Sequence, residues 1–428
     1  MEEKLYESYT KILKEELLPA MGCTEPIAVA YAAALARETL GVLPERTEIA
    51  VSGNILKNVK SVIVPNTGGL KGICAAAAAG IVAGKAEKVL EVISSVTDGE
   101  RAKIAAYLKE CAFFVEQSHS GCVFDIAVTV TGGGHKAYVH ITGNHTNVVR
   151  IEKDGVSLLS RSEGEEGGSA GAENMTDRSV LTVENIVRYA DTVPLAEVED
   201  VISRQIEYNS AIAEEGLRGD YGANIGKILL RAYGNSVHNR AKATAAAGSD
   251  ARMNGCSLPV VIVSGSGNQG MTASLPVIVY AKELGATREQ LIRAIVVSDL
   301  ITVHLKAGIG TLSAYCGAVS AGCGAGAGIC YLYGGRYEAV AHTVVNALAI
   351  NSGVICDGAK ASCAAKIASA VEAGLIGMEM YRNGSQFYDG DGIVVKGVEN
   401  TIENVGELAR EGMKETDEEI IRLMIRKI

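Results

Sequence analysis

Apolar and polar positions recur along this chain with two different periods. Over residues 3–18, Leu5, Tyr9, Ile12, Leu13 and Leu17 fall on one helical face. A turn follows at 19-PAMGCTEP-26. Ile27 to Leu40, nearly all alanine and aliphatic, predicts a buried helix. Residues 47–64 read as extended around a polar turn, and 72-GICAAAAAGIVAG-84 as another small-residue helix. The texture then changes. A helix near 98–110 precedes the alternating runs 111-CAFFVEQ-117, 122-CVFDIAVTV-130, 136-KAYVHITG-143 and 146-TNVVRIEKDG-155, separated by turn residues such as 131-TGGGH-135. A polar loop is expected over 163-EGEEGGSAGAENM-175. Beyond 182 the helical period returns: 195–215, 222–233, 236–248, 272–284, 287–298, about 311–332, 336–350, 360–373, and a charged amphipathic helix from Glu403.

These elements predict a mainly α fold with an α+β insertion. A large, discontinuous helical catalytic domain (1–85 and 181–428) would carry a small antiparallel-sheet α+β domain at 86–180. One weak echo is visible. SVIVPNTGGLKGICAAAAA (61–79) and PVVIVSGSGNQGMTASLPV (259–277) both read as strand, Gly/Asn-rich turn and small-residue helix.

Composition narrows the packing style. The 428 residues include 49 Gly but only 7 Pro, 4 Phe and no Trp, so the core must be built from closely approaching helices. The net charge of −10 leaves no basic footprint for nucleic acid. The uncharged run 307-AGIGTLSAYCGAVSAGCGAGAGICYLYGG-335 is long enough to span a bilayer. It is too rich in Gly, Ser and Ala to partition well and lacks Lys/Arg asymmetry, so a buried helix is expected and no membrane partner. The charged, amphipathic N-terminus shows no signal or transit peptide, which predicts a cytoplasmic protein. Ten cysteines without a secretion signal are then core thiols, nucleophiles or metal ligands rather than a disulfide framework. Small-residue helices with exposed alanine faces suit a homodimer.

Cysteine spacing raises the first chemical candidate. Cys316, Cys323 and Cys330 recur every seven residues, as do Cys356 and Cys363 in 352-SGVICDGAKASC-363. On a helix such positions share a face about 10 Å apart. That is too wide for a mononuclear zinc site, which favours C-x₂₋₄-C pairs. A 4Fe–4S cluster tolerates ligands from separated segments, and Gly353 and Gly358 would allow close backbone approach. Core-filling thiols explain the same spacing.

Cys23 is the second candidate. In GCTEP, Thr24 suits a helix N-cap with Glu25 and Pro26 in the first turn, which puts Cys23 at the positive end of a helix dipole and favours thiolate. A plain turn is the alternative. The third is a pair of turns, 65-PNTGGLKG-72 (Asn66, Thr67, Gly68) and 264-SGSGNQGMT-272 (Ser266, Gly267, Asn268, Gln269). Both suit a carboxylate, ordinary turn chemistry being the other reading. Neither matches a P-loop or dinucleotide fingerprint. His119 in 118-SHSG-121 and the histidines of 135-HKAYVHITGNH-145 read as surface or turn residues. His304 and Lys306 are candidates to face the Cys316 segment.

Taken together, GCTEP, PNTGG, SGSGNQG, LSAYCG and CDGAKASC resemble the L-cysteine desulfidase family, related to the alpha chain of iron–sulfur-dependent L-serine dehydratases. The resemblance runs from about residue 15 to about 375. It implies a 4Fe–4S cluster on Cys316, Cys356 and Cys363, with one iron open, and Cys323 as the ambiguous alternative on the same helix face. It also implies Cys23 as proton acceptor and no pyridoxal phosphate. The seven-residue gap in CDGAKASC is similar to the desulfidase branch, the dehydratases having a longer one. The implied reaction is β-elimination on a small amino acid, L-cysteine plus water giving pyruvate, ammonia and hydrogen sulfide. The nearest rival is an L-serine ammonia-lyase with the same cluster. A rival of another class is a non-catalytic iron–sulfur or redox-sensing protein.

Overall fold

The computed structural model describes residues 3–161, 175–310 and 312–425. The polar loop expected over 163–175 therefore lies outside the described residues except for Met175. The fold is mainly helical with one mixed sheet, as the two periods imply. No described helix is long and apolar enough to cross a membrane. The uncharged run becomes the end of one helix, a loop, and the buried helix Gly317–Leu332.

The sheet has six strands in the order Ala112–Gln117, Arg46–Val51, Asp125–Gly132, His135–Thr142, Val148–Lys153, Val156–Ser160. Ile126, Val128 and Val130 alternate inward and are fully buried, as the period of two demands. Ile49 pairs with Val128, Val128 with Val139, and Val139 with Ile151. The Thr24–Leu40 helix lies against this face. Three expectations need correction. The first pair, Arg46–Val51 with Ala112–Gln117, is parallel, so the sheet is mixed rather than antiparallel. One strand also comes from outside 86–180, and the stretch read as extended over 47–64 turns helical at Gly53–Val59. There Ser52 caps the helix by accepting from the Ile55 N–H.

The helical part owes its density to glycine and alanine. On the Gly317–Leu332 helix, a Cβ at Gly322 would sit 2.3 Å from the Ala370 carbonyl oxygen, and one at Gly326 2.5 Å from that of Gly374. A Cβ at Gly374, on the Cys363–Arg382 helix, would sit 2.2 Å from the Gly322 oxygen. These two helices touch backbone to backbone. The alanines of Thr24–Leu40, of 75–79 and of Val237–Met253 are likewise buried within the chain, so their faces give no support for docking a second copy.

Candidate active site

A cavity of about 120 Å³ collects most of the residues singled out from sequence. That is well below the roughly 300–1,000 Å³ of pockets that take drug-sized ligands, and suits one small metabolite. Cys23, Ser266, Asn268, Gln269, Cys316, Cys356 and Cys363 all line it, with Glu25, Lys57, Asn58, His145, Arg252 and Lys306. A wider hollow of about 730 Å³ lies elsewhere, beside Cys330. Its arginines are already engaged: Arg336 stacks on Tyr331 at 4.4 Å and Arg382 on Tyr333 at 4.1 Å.

Four helix N-termini open onto the small cavity, at Cys23–Thr24, Ser266–Gly267, Cys316–Gly317 and Cys363. Each brings unpaired N–H groups and positive potential. The start of the Thr24 helix is tied to the SGSGNQG turn twice. Pro19–Met21 pairs with Pro259–Val261, and Thr24 Oγ1 donates to the Gly265 carbonyl at 3.1 Å.

The three cysteines reach the cavity by different routes than the seven-residue spacing suggests. Cys316 caps its helix rather than lying on its face, whereas Cys323 is inside that helix and buried in the core. Burial pushes the Cys323 thiol up to about 12, and this residue does not line the cavity. Cys356 lies in a loop bridged to Cys316: Tyr315 pairs with Ile355, the Cys316 N–H donates to Val354 O at 3.0 Å, and the Cys356 N–H donates to Ala314 O. Cys363 opens its helix, and Gly358, at φ 91°, packs where a Cβ would meet the Lys57 carbonyl at 2.2 Å. Asp357 and Lys360, between the two cysteines, clamp this loop. Asp357 pairs with Lys360 and, at 2.5 Å, with Lys366, which also donates to Ile355 O at 2.8 Å. Burial raises the Asp357 carboxyl, but the two lysines outweigh it and hold it at about 2.

The Cys316 and Cys356 thiols form a coupled pair. The hydrogen bond from Cys316 lowers the Cys356 thiol against the cost of burial, helped by Lys57 and the Gly358 N–H. Cys316 is raised correspondingly. Burial raises Cys363. Burial also pushes Lys306 down to about 8, with Lys57 adding to this while Cys356 and Cys316 oppose it. Its ammonium bonds the Gly310 carbonyl. Among the described residues no three His, Cys, Asp or Glu side chains stand close enough to hold a single metal ion. A polynuclear cluster asks for something else: separated soft thiol donors around one space, with cations to balance its charge. The donor set fits that requirement, with free cysteines 316, 356 and 363 on one cavity together with Lys57 and Lys306.

Cys23 departs from the thiolate expectation. It is itself the N-cap, in place of Thr24, whose hydroxyl points to Gly265 and Glu25. Only 2% of Cys23 is exposed, and its Sγ donates to Glu25 Oε2 at 3.0 Å. Burial, then the Glu25 charge, push the thiol well above its usual value despite the helix dipole. Burial raises the Glu25 carboxyl too. His145, the Cys23 bond, the Glu25 N–H and Arg252 together overcome this and leave it below the usual range. Asn58 Nδ2 donates to Glu25 Oε1 at 3.1 Å.

His145 is a further correction. Read as a surface or turn residue, it is buried in the cavity wall, its proton affinity lowered chiefly by burial and partly restored by Glu25. His140 is also buried, 2.5 Å from Asp125, while His119 is exposed. His304 turns away to Glu399 at 2.6 Å, whereas Lys306 faces the cavity as anticipated. The PNTGG turn is not brought here. Asn66 Nδ2 donates to Ile93 O at 3.0 Å, Thr67 Oγ1 to Val64 O at 2.7 Å, and neither they nor Gly68 line the cavity. The turn serves its own backbone, so a carboxylate role for these three residues finds no support in their surroundings. Gly267 is not in the wall but packs directly behind it.

Comparison with known proteins adds a lineage. Residues 87–422 match the family model described as the serine dehydratase alpha chain. Over 99% of its length the chain is 56% identical to a UPF0597 protein of Desulfitobacterium hafniense, covering 98% of that protein. A UPF0597 protein of Lachnoclostridium phytofermentans is 49% identical over 98% of this chain and 100% of its own. One of Treponema denticola is 45% identical over 100% and 99%.

Proposed function

The chain belongs to the serine dehydratase alpha-chain family, and from that premise we propose that it is an iron–sulfur-dependent L-cysteine desulfidase. Family membership supports an amino-acid lyase function, and the family is generally iron–sulfur dependent. The observation that carries the finer reading is the convergence of Cys23 with Cys316, Cys356 and Cys363 on one small cavity.

In this reading Cys316, Cys356 and Cys363 hold a 4Fe–4S cluster, which when bound supplies a Lewis-acidic iron with an open position suited to a soft sulfur leaving group. Ser266, Asn268, Gln269 and the helix start behind them receive the substrate's polar end. Cys23, held protonated, gives its Sγ proton to the ionised Glu25 Oε2 along the 3.0 Å hydrogen bond already present as it takes the Cα proton, so that Glu25 is the final acceptor. The Cα electrons form the Cα–Cβ double bond as the Cβ–S bond breaks and sulfide departs. The aminoacrylate released takes up water to give pyruvate and ammonia. Burial of Cys23 and Glu25 keeps bulk water from the proton.

One observation favours a second reading. The family match is to serine dehydratase, and L-serine differs from L-cysteine only in the leaving group. Full-length protein, reconstituted anaerobically, is to be assayed for sulfide and pyruvate from L-cysteine and for ammonia and pyruvate from L-serine. Sulfide release in excess is expected. Predominant serine turnover replaces the desulfidase reading, and a loaded cluster that forms pyruvate from neither overturns the lyase reading.

A further inference from the structure

Nothing in the sequence singles out Arg252, yet it is one of three cations buried in the cavity wall, with Lys57 and Lys306. It stands in the last turn of the Val237–Met253 helix, 2% exposed. A basic residue there ordinarily complements the helix dipole from solvent. Here the guanidinium is turned inward. Of its five N–H donors, the structure engages Nη1, which donates to Asn268 Oδ1 at 3.1 Å, and Nε is buried with no partner among the described residues. No carboxylate among the described residues forms an ion pair with it. Glu25, the acidic residue of the cavity wall, acts on Arg252 through its charge but makes no hydrogen bond or ion-pair contact with it, and already receives Cys23, Thr24 and Asn58.

A buried cation with no anion in contact is disfavoured unless something completes it. The fold also reserves room for this one. A Cβ at Gly267 would stand 2.5 Å from Arg252 Nε and 2.9 Å from Cζ. Any side chain there would displace the guanidinium, which accounts for the glycine in SGSGNQG that does not itself line the cavity. Gln269 Oε1, His145 Nε2 and Tyr315 Oη, all cavity residues, are likewise buried without partners among the described residues. The polar wall is incomplete without a ligand, and its cationic member is a planar fork that matches a carboxylate.

We propose that Arg252, held by Asn268 and seated over Gly267, is the specificity-determining anchor for the substrate's α-carboxylate. The proposal rests on the lyase reading for the identity of the ligand but concerns recognition alone. Arg252 is close enough to Cys23 and Glu25 to act on both through its charge, so the carboxylate is held on the Cys23 side of the cavity. Substrates are therefore free α-amino acids, and amides or esters of the same amino acids are excluded.

The test uses the full chain, purified and reconstituted anaerobically, with L-alanine as a probe that has no leaving group and L-alaninamide as its partner without a carboxylate. Calorimetric titration is expected to show L-alanine binding at least about 10-fold more tightly than L-alaninamide, the scale of one charge-assisted hydrogen bond. Arg252→Gln, which retains an amide donor for Asn268, is expected to lose that preference. Arg252→Lys is expected to raise KM for the turned-over amino acid about 10- to 100-fold with a smaller change in kcat. Absent or equal binding of the two probes by the wild type overturns the anchor, as does an unchanged preference in a folded Arg252→Gln. The wild-type comparison decides even if both variants misfold. L-alanine preference without sulfide or pyruvate formation would retain the anchor and discard the lyase reading.

Discussion

Lys57 lies in the cavity wall with 1% of its side chain exposed, and its partner is remote in sequence. Nζ meets Asp417 Oδ1 at 2.5 Å, and Asp417, 14% exposed, belongs to the last described helix, Lys414–Ile425. Lys60 Nζ reaches the Met424 carbonyl on the same helix, and Ile421 packs against Gly53. Asp417→Leu removes the counter-charge while the ammonium stays buried. Breaking such a pair from one side costs about 3–5 kcal/mol. Replacing both partners by apolar residues, as in Lys57→Met with Asp417→Leu, removes the desolvation penalty as well and is expected to fall within about 1 kcal/mol of wild type. Urea unfolding of the four proteins in the cycle, with hydrogen exchange over residues 414–425, separates global loss from local release of the helix. A single variant destabilised by less than about 1 kcal/mol would refute the assignment of a buried, mutually dependent pair. So would a double variant as unstable as the single.

Three further outcomes are expected. Cys316→Ala, Cys356→Ala and Cys363→Ala should each abolish the absorbance near ~400 nm that anaerobic iron–sulfur reconstitution produces, whereas Cys323→Ala, away from the cavity, should retain it. Asp299, fully buried with its carboxylate bonded to Gln205 at 3.0 Å, is raised to about 8 by burial, which that bond only partly opposes. The unfolded chain releases this proton near pH 4 and the folded chain only near 8. Its contribution to stability therefore falls as pH rises between those values. Unfolding free energies across that range should show the slope, and Asp299→Asn should remove it. Gly374→Ala, with a Cβ 2.2 Å from the Gly322 carbonyl oxygen, should cost about 1–3 kcal/mol and reduce iron loading measured as iron bound per chain.

Much of the helical architecture was legible because small-residue runs such as 73-ICAAAAAGIVA-83 have few other ways to bury themselves. Strand pairing was less so. Nothing local in Arg46–Val51 announces that its neighbour is Ala112–Gln117, more than sixty residues on, since register is decided by long-range packing. The candidate thiols were visible, but through a spacing that turned out to be incidental. Cys316 acts as a cap and Cys356 lies in a loop, so no shared helical face brings them together. Arg252 and His145 were hidden for a different reason. A lone Arg at a helix end and a lone His in a turn look like solvent-facing residues, and their burial follows from which helices and loops close over them.

The glycine contacts between Gly317–Leu332 and Cys363–Arg382 have a mechanical consequence. Side-chain contacts hold a distance through rotamers that interconvert, while backbone pressed on backbone has no such slack. Cys316 and Cys363, at the starts of these two helices, therefore form the fixed jaw of a vice. Cys356, carried on a loop by the Tyr315–Ile355 bridge and the Asp357 clamp, is set against that jaw by hydrogen bonds and ion pairs instead of by backbone packing.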